Sequence, residues 1–222
     1  GGVSYLWTPG TALDNTGIAN PIANPTSTTT YSVLVTDANG CKKSAAVTVV
    51  VNPLPNISAG NNTAICIGSS TTLNGTGGTI YSWSPSTGLD NPNIANPSAN
   101  PTTTTIYSVI GTDNNGCSNT SNVTVTVNSL PTATITAGGP TAFCAGGSVV
   151  LTASTGSSYL WSNGATTQAI TVSASGSYTV AVTNASNCSA TSAATIVTVN
   201  SLPTATITAG GATTFCTGGS VV

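Results

Sequence analysis

Few side chains here can do chemistry. The 222 residues hold four acids, Asp14, Asp37, Asp90 and Asp113, and two adjacent bases, Lys42 and Lys43, with no His, Glu or Arg. Without His and Glu there is no serine-protease triad, no zinc-deaminase arrangement and no histidine-based metal signature. A glycosidase-like carboxylate pair would have to come from Asp14 with Asp37 or Asp90 with Asp113, and each of these acids occupies an ordinary turn sequence. The chain is therefore not expected to be an enzyme. Two lysines cannot supply the basic surface that nucleic-acid binding needs, so no nucleic-acid partner is expected. Calcium is the stronger ligand candidate: Asp90, Asn91 and Asn93 offer hard oxygens, as do Asp14 and Asn15. One carboxylate per loop makes a weak site unless Asp113 also approaches. The stretch 131–202 has no Asp at all, so calcium cannot be a general requirement, and no cofactor is expected.

The aromatic residues and cysteines carry more information. Trp7, Trp83 and Trp161 each follow a Tyr by two residues, and strand alternation puts both rings of each pair on one face. An exposed indole would stack on a sugar ring, but the fixed Tyr-x-Trp spacing favours a core role, shared with Tyr31, Tyr107 and Tyr178. Six cysteines in an almost uncharged chain suggest an oxidising, extracellular setting, and no Cys-x-x-Cys motif occurs. The expected disulfides are Cys66 with Cys117 and Cys144 with Cys188. Each would close a loop of roughly 45 to 50 residues, contributing about 4 kcal/mol at most. Cys41 and Cys216 are left unpaired by truncation of their modules or bond between modules; Cys41 with Cys66 and Cys188 with Cys216 stay open as alternatives.

Charged residues make up 3% of the chain and hydrophobic residues 39%, while Thr, Ser, Gly and Pro fill nearly half of it. This is a strand-and-turn composition. The Val-rich runs near 47–51 and 123–127 are too short to span a bilayer, so no transmembrane segment is expected. One constant offset relates Trp7 to Trp83, Asp14 to Asp90, Tyr31 to Tyr107 and Cys41 to Cys117; a shorter one relates Asn128-Ser129-Leu130-Pro131 to Asn200-Ser201-Leu202-Pro203 and Cys144 to Cys216. Proline-containing junctions after Val-rich strands divide the chain into the last two-thirds of a long module (1–53), a complete long module (54–130), a complete short module (131–202) and the start of another short one (203–222). In the long module Tyr81/Trp83, Tyr107/Val109 and Val123/Val125/Val127 form three apolar rows. Asp113-Asn114-Asn115-Gly116 reads as a hairpin turn between the last two, as Asp37-Ala38-Asn39-Gly40 does earlier. The short module repeats the rows with Tyr159/Trp161, Tyr178/Val180/Val182 and Val197/Val199. The fold class is all-β, with tandem β-sandwiches.

Tyr81-Ser82-Trp83-Ser84-Pro85, Tyr107-Ser108-Val109, Thr112-Asp113-Asn114-Asn115-Gly116-Cys117 and the closing Val125-to-Pro131 run resemble the immunoglobulin-like (Ig-like) or PKD-like repeats of large Bacteroidetes surface proteins, including gliding-motility adhesins. Tyr159-Leu160-Trp161-Ser162-Asn163-Gly164 through Cys188 is similar to a second repeat type of the same proteins. The resemblance implies type IX secretion and a bacterial surface or extracellular location. The expected function is a disulfide-stapled spacer in an adhesin or fibre, whose partners are neighbouring modules of its own chain and other copies in self-association. A glycan- or surface-polymer-binding module, assisted by calcium, is the alternative.

Overall fold

The computed structural model describes residues 3–221; the Gly1-Gly2 start of the first repeat match and Val222 lie outside them. The chain divides into two compact units, Gly1–Val127 and Asn128–Val222. The division falls at the Asn128-Ser129-Leu130-Pro131 junction. Among the described residues every regular element is a strand, which follows from the β-branched alternation and the density of turn formers.

In the first unit, β1 (Ser4–Thr8), β2 (Thr29–Thr36) and β3 (Lys42–Val49) form one antiparallel sheet in the order β1-β2-β3. They are followed by β4 (Thr63–Cys66), β5 (Thr71–Thr72), β6 (Ile80–Ser84), β7 (Ser98–Ala99), β8 (Thr105–Thr112) and β9 (Ser118–Asn128). These pair as a four-stranded sheet, β4-β9-β8-β6, and a small one, β5-β7, extended by the Ser58–Thr76 bridge. Register sets Trp83 opposite Val109 and Tyr107 opposite Val123, so the apolar rows meet on one face. Ile57, Ala59, Leu73 and Ala99 close over Ile65, Trp83, Tyr107, Val109, Val123 and Val125 as a single buried cluster.

The second unit holds β10 (Ile135–Ala137), β11 (Ala142–Cys144), β12 (Val149–Ala153), β13 (Ser158–Trp161), β14 (Ala169–Val172), β15 (Gly176–Tyr178), β16 (Val180–Thr183), β17 (Ser189–Thr191) and β18 (Thr195–Asn200). One layer is β10-β12-β14; the other is made of β11-β18-β15 and β13-β16-β17. The two long strands of this layer are each interrupted, and buried Ser192 bridges the break. Its N–H donates to Val180 O at 2.9 Å and its Oγ accepts from Val180 N at 3.1 Å. The core runs from Val149, Leu151 and Ala153 through Trp161, Ile170, Val172, Val180, Val182 and Val197. Residues 203–221 carry no strand and are exposed.

The three tryptophans differ. Trp83 and Trp161 are buried at 3% and 2% exposure, while Trp7 is only half-buried. Among the described residues no strand equivalent to β5 accompanies the β1–β3 sheet, although Leu13 bridges Ala23 as Leu89 bridges Ala99. Truncating Trp83 to Ala should therefore lower the stability of its unit by about 3 to 5 kcal/mol. Trp7→Ala should cost clearly less, and urea unfolding of each variant checks the ratio. Tyr107, fully buried, donates its hydroxyl to Thr87 O at 2.8 Å, and burial raises its phenol above the ordinary 10.0. The stability this represents is fully present below pH 10 and is lost as pH rises through the folded value, because the unfolded phenol ionises first. Phenolate absorbance during an alkaline titration should show one tyrosine ionising late, and Tyr107→Phe should remove it.

Candidate functional site

Each Tyr-x-Trp strand organises the loops at both of its ends. Trp83 donates its backbone N–H to Pro92 O and its indole Nε1–H to Ile94 O, at 2.8 and 2.9 Å. Trp161 does the same to Ala165 O and Thr167 O, and Trp7 to Thr16 O and Ile18 O. Thus one ring fills the core while its polar edge holds a loop. Gly75 permits this packing, because a Cβ there would lie 3.1 Å from Trp83 Cζ2 and 2.7 Å from Ala95 O. The preceding tyrosine works on the opposite side. Tyr81 OH donates to Gly78 O at 2.7 Å and accepts from Gly78 N at 3.0 Å; Tyr159 makes the same pair with Gly156. Gly three residues before Tyr is the sequence signal for this clasp.

The acids serve turns. Asp113 Oδ1 accepts from Asn115 N at 2.8 Å and Cys117 N at 2.9 Å, and Asp37 Oδ1 accepts from Asn39 N and Cys41 N at the same two distances. In the second unit Asn184 Oδ1 replaces the carboxylate, accepting from Ser186 N and Cys188 N at 3.0 Å each. Gly116 takes the positive φ of this turn at 80°, and Asn187 takes it at 60°. Asp14 Oδ1 accepts from Asn15 N and Ile22 N, and Asp90 Oδ1 from Asn91 N and Ser98 N, all within 2.8 Å. Asp113 does not approach Asp90. Its turn leaves β8 after Thr112, whereas the Asp90 loop is tied to Tyr107 through Thr87, about 20 Å away along the strand. Among the described residues no group of three or more His, Cys, Asp or Glu could hold a metal. No catalytic constellation forms among them either.

One groove of the larger sandwich, of about 330 Å³, is bordered by Asn61, Asn62, Thr63, Thr71, Leu73 and Asn74. It presents amides and hydroxyls and no aromatic face. Lys42 and Lys43 sit exposed at the start of β3, opposite Thr36 and Val35.

The cysteines depart from expectation. Cys66 and Cys188 are disulfide-bonded, and Cys41, Cys117, Cys144 and Cys216 carry free thiols. Neither Cys66 with Cys117 nor Cys144 with Cys188 is formed. Cys144 pairs in register with Asn200 at the end of β18, whereas Cys188 precedes β17, at the beginning of the same long strand. A disulfide needs Cα atoms within about 7 Å, and a strand of that length separates its ends by several times as much. Strand direction separates the turn cysteine from the early one, and the local sequence pattern does not encode that direction.

The Asp-to-Asn exchange between units gives a direct test of the turn. Asp113→Ala should speed hydrogen exchange at the Asn115 and Cys117 amides about tenfold, equivalent to losing roughly 1.4 kcal/mol locally, while Asp113→Asn should stay within a few-fold of the native rate.

No family model matches the chain, and no curated protein matches it. Solved structures are similar to it. Extracellular domains 3–5 of Drosophila OTK align at 10% identity and a TM-score of 0.36, over 89% of this chain and 85% of that one. An I-band fragment of titin aligns at 14% and 0.41, covering 88% and 87%. A bacterial ice-binding adhesin aligns at 15% and 0.30, covering 81% and 76%. At such scores none of them carries an argument about what this chain does. By its own strands, registers and cores, the chain is all-β and consists of small Ig-like β-sandwich modules in tandem.

Proposed function

We propose that the chain is a spacer segment of a secreted or cell-surface adhesin or fibre, made of modules that divide near residues 53, 130 and 202. The observation that carries this reading is the self-sufficiency of each core. The cluster from Ile57 to Val125 and the cluster from Val149 to Val197 are each built from one continuous stretch. A short Pro-containing junction separates the stretches. Such a chain transmits position along itself, and with 3% charged residues its dimensions respond little to ionic strength. The cysteine content and Bacteroidetes-like repeats support an extracellular bacterial setting reached by type IX secretion, with other modules and other copies of the chain as partners.

A second reading, recognition of a glycan or surface polymer, has the amide- and hydroxyl-lined groove beside Asn61 and Asn74 in its favour. The burial of Trp83 and Trp161 counts against it, since neither indole is available to stack on a sugar.

The two readings separate by measurement. Adding one complete long-type module should raise the maximum dimension in small-angle scattering by about 35 Å, the rise of a ten- to eleven-residue strand. An array that gains mass without gaining length would sink the spacer reading. Saturable binding in a polysaccharide array, abolished by Asn61→Ala with Asn74→Ala, would favour the groove.

A further inference from the structure

Each complete sandwich is closed by its opening segment, and the contact is matched in size. In the long module Ile57 lies over Gly111, where a Cβ would run into the Ile57 side chain. Register sets Gly111 opposite Tyr81 and Val182 opposite Tyr159, so Val182 is the counterpart of Gly111 in the short module. Ala133 follows its junction proline by two residues, as Ile57 does, and packs against the core that contains Val182. The pair thus holds the same four side-chain carbons in both modules, all on Ile57 in one and divided between Ala133 and Val182 in the other. Exchanging the opening segments would set Ile over Val, which overpacks, or Ala over Gly, which leaves a hole. This pair therefore specifies which opening segment a sheet accepts.

The β1–β3 sheet repeats the long module in sequence but carries the short module's side of the match. Val35 stands where Gly111 does, and Ala45 stands where Ser121 Oγ accepts from Ala59 N at 3.1 Å. An opening segment like residues 55–62 would drive its Ile into Val35, and its second N–H would lose the acceptor that Ser121 supplies. A segment with Ala in the first position fits. The place for it is open among the described residues: Val47 is 52% exposed while its counterpart Val123 is 2% exposed. Ala45 is exposed too, and β3 has a free edge where its counterpart β9 is joined by β4.

Residues 203–216 have the matching sequence. Pro203-Thr204-Ala205-Thr206-Ile207 repeats Pro131-Thr132-Ala133-Thr134-Ile135, and Phe215-Cys216 repeats Phe143-Cys144. In the earlier copy these stretches form β10 and β11, with Ala133, Ile135 and Phe143 packed on the core. In the later copy they carry no strand, and Ile207 and Phe215 are exposed. We infer that residues 203–216 of one copy of this chain cover the β1–β3 sheet of a second copy, with Ala205 over Val35 and the Phe215 stretch along the free edge of β3. A segment given from one surface and received on another is a heterologous contact, which adds copies in series. The inference rests on the fibre part of the proposed function and supplies its joint.

Light scattering after size exclusion should show the intact chain passing from monomer to multiples of its own mass as concentration rises. Ala205→Ile changes a residue outside both cores, so each sandwich stays folded, and it should weaken the association about tenfold or more. Adding Val35→Gly to that chain recreates the Ile-over-Gly match and should restore assembly, whereas Val35→Gly alone should weaken it. A chain that stays monomeric at high concentration would overturn the inference. So would assembly indifferent to Ala205→Ile, the behaviour of thiol oxidation or non-specific apolar contact, or a folded double variant that does not associate. A monomer whose length still grows with added modules would remove this joint and leave the spacer reading standing.

Discussion

The dual use of tryptophan is the constraint on which each complete sandwich depends. An indole at the centre of a small core contributes most of its ring to apolar burial, and its single N–H must find an acceptor that does not expose the ring. In both complete sandwiches that acceptor is a carbonyl of the loop after the Trp strand, Ile94 O or Thr167 O. The loops differ in length and sequence, yet the bond is kept. Consequently the core cannot form without fixing the loop, and the loop cannot drift without leaving a polar group in an apolar interior. Among the described residues no buried side-chain nitrogen or oxygen lacks a partner, which is the condition such a core must meet.

Strand pairing, turn position and core composition were legible because they repeat with local periods. Tyr107, Val109, Val123 and Val125 alternate as a half-buried strand must, and all four are buried. The Asp-x-Asn-Gly turns announced their hairpins through side chains suited to positive φ. What local periods do not encode is the direction in which a short first strand runs beside the last one. That direction depends on β4 and β11 crossing to the opposite layer from β5 and β12, a tertiary choice written in few residues. The disulfide expectation failed there.

The turn chemistry shows why the Asp residues drew a ligand hypothesis. A carboxylate flanked by amides and carbonyls looks the same in sequence whether it awaits a cation or caps backbone N–H groups. At the Asp113 turn the equivalent Asn184 accepts the same two hydrogen bonds without a charge, so the carboxylate there acts as a backbone cap. The feature common to both side chains is an oxygen of the right reach, and the negative charge is incidental to the fold.

The parallel pairing of β11 with β18 has a mechanical consequence. Pulling on the two ends of such a sandwich drags its early strand and its final strand lengthwise past each other, so the hydrogen bonds that join Ala142 through Cys144 to Thr198 through Asn200 take up load together. A hairpin pulled open from one end would instead surrender its bonds one at a time. Tension along the chain therefore meets the sheet in shear, the direction in which a short ladder yields least readily.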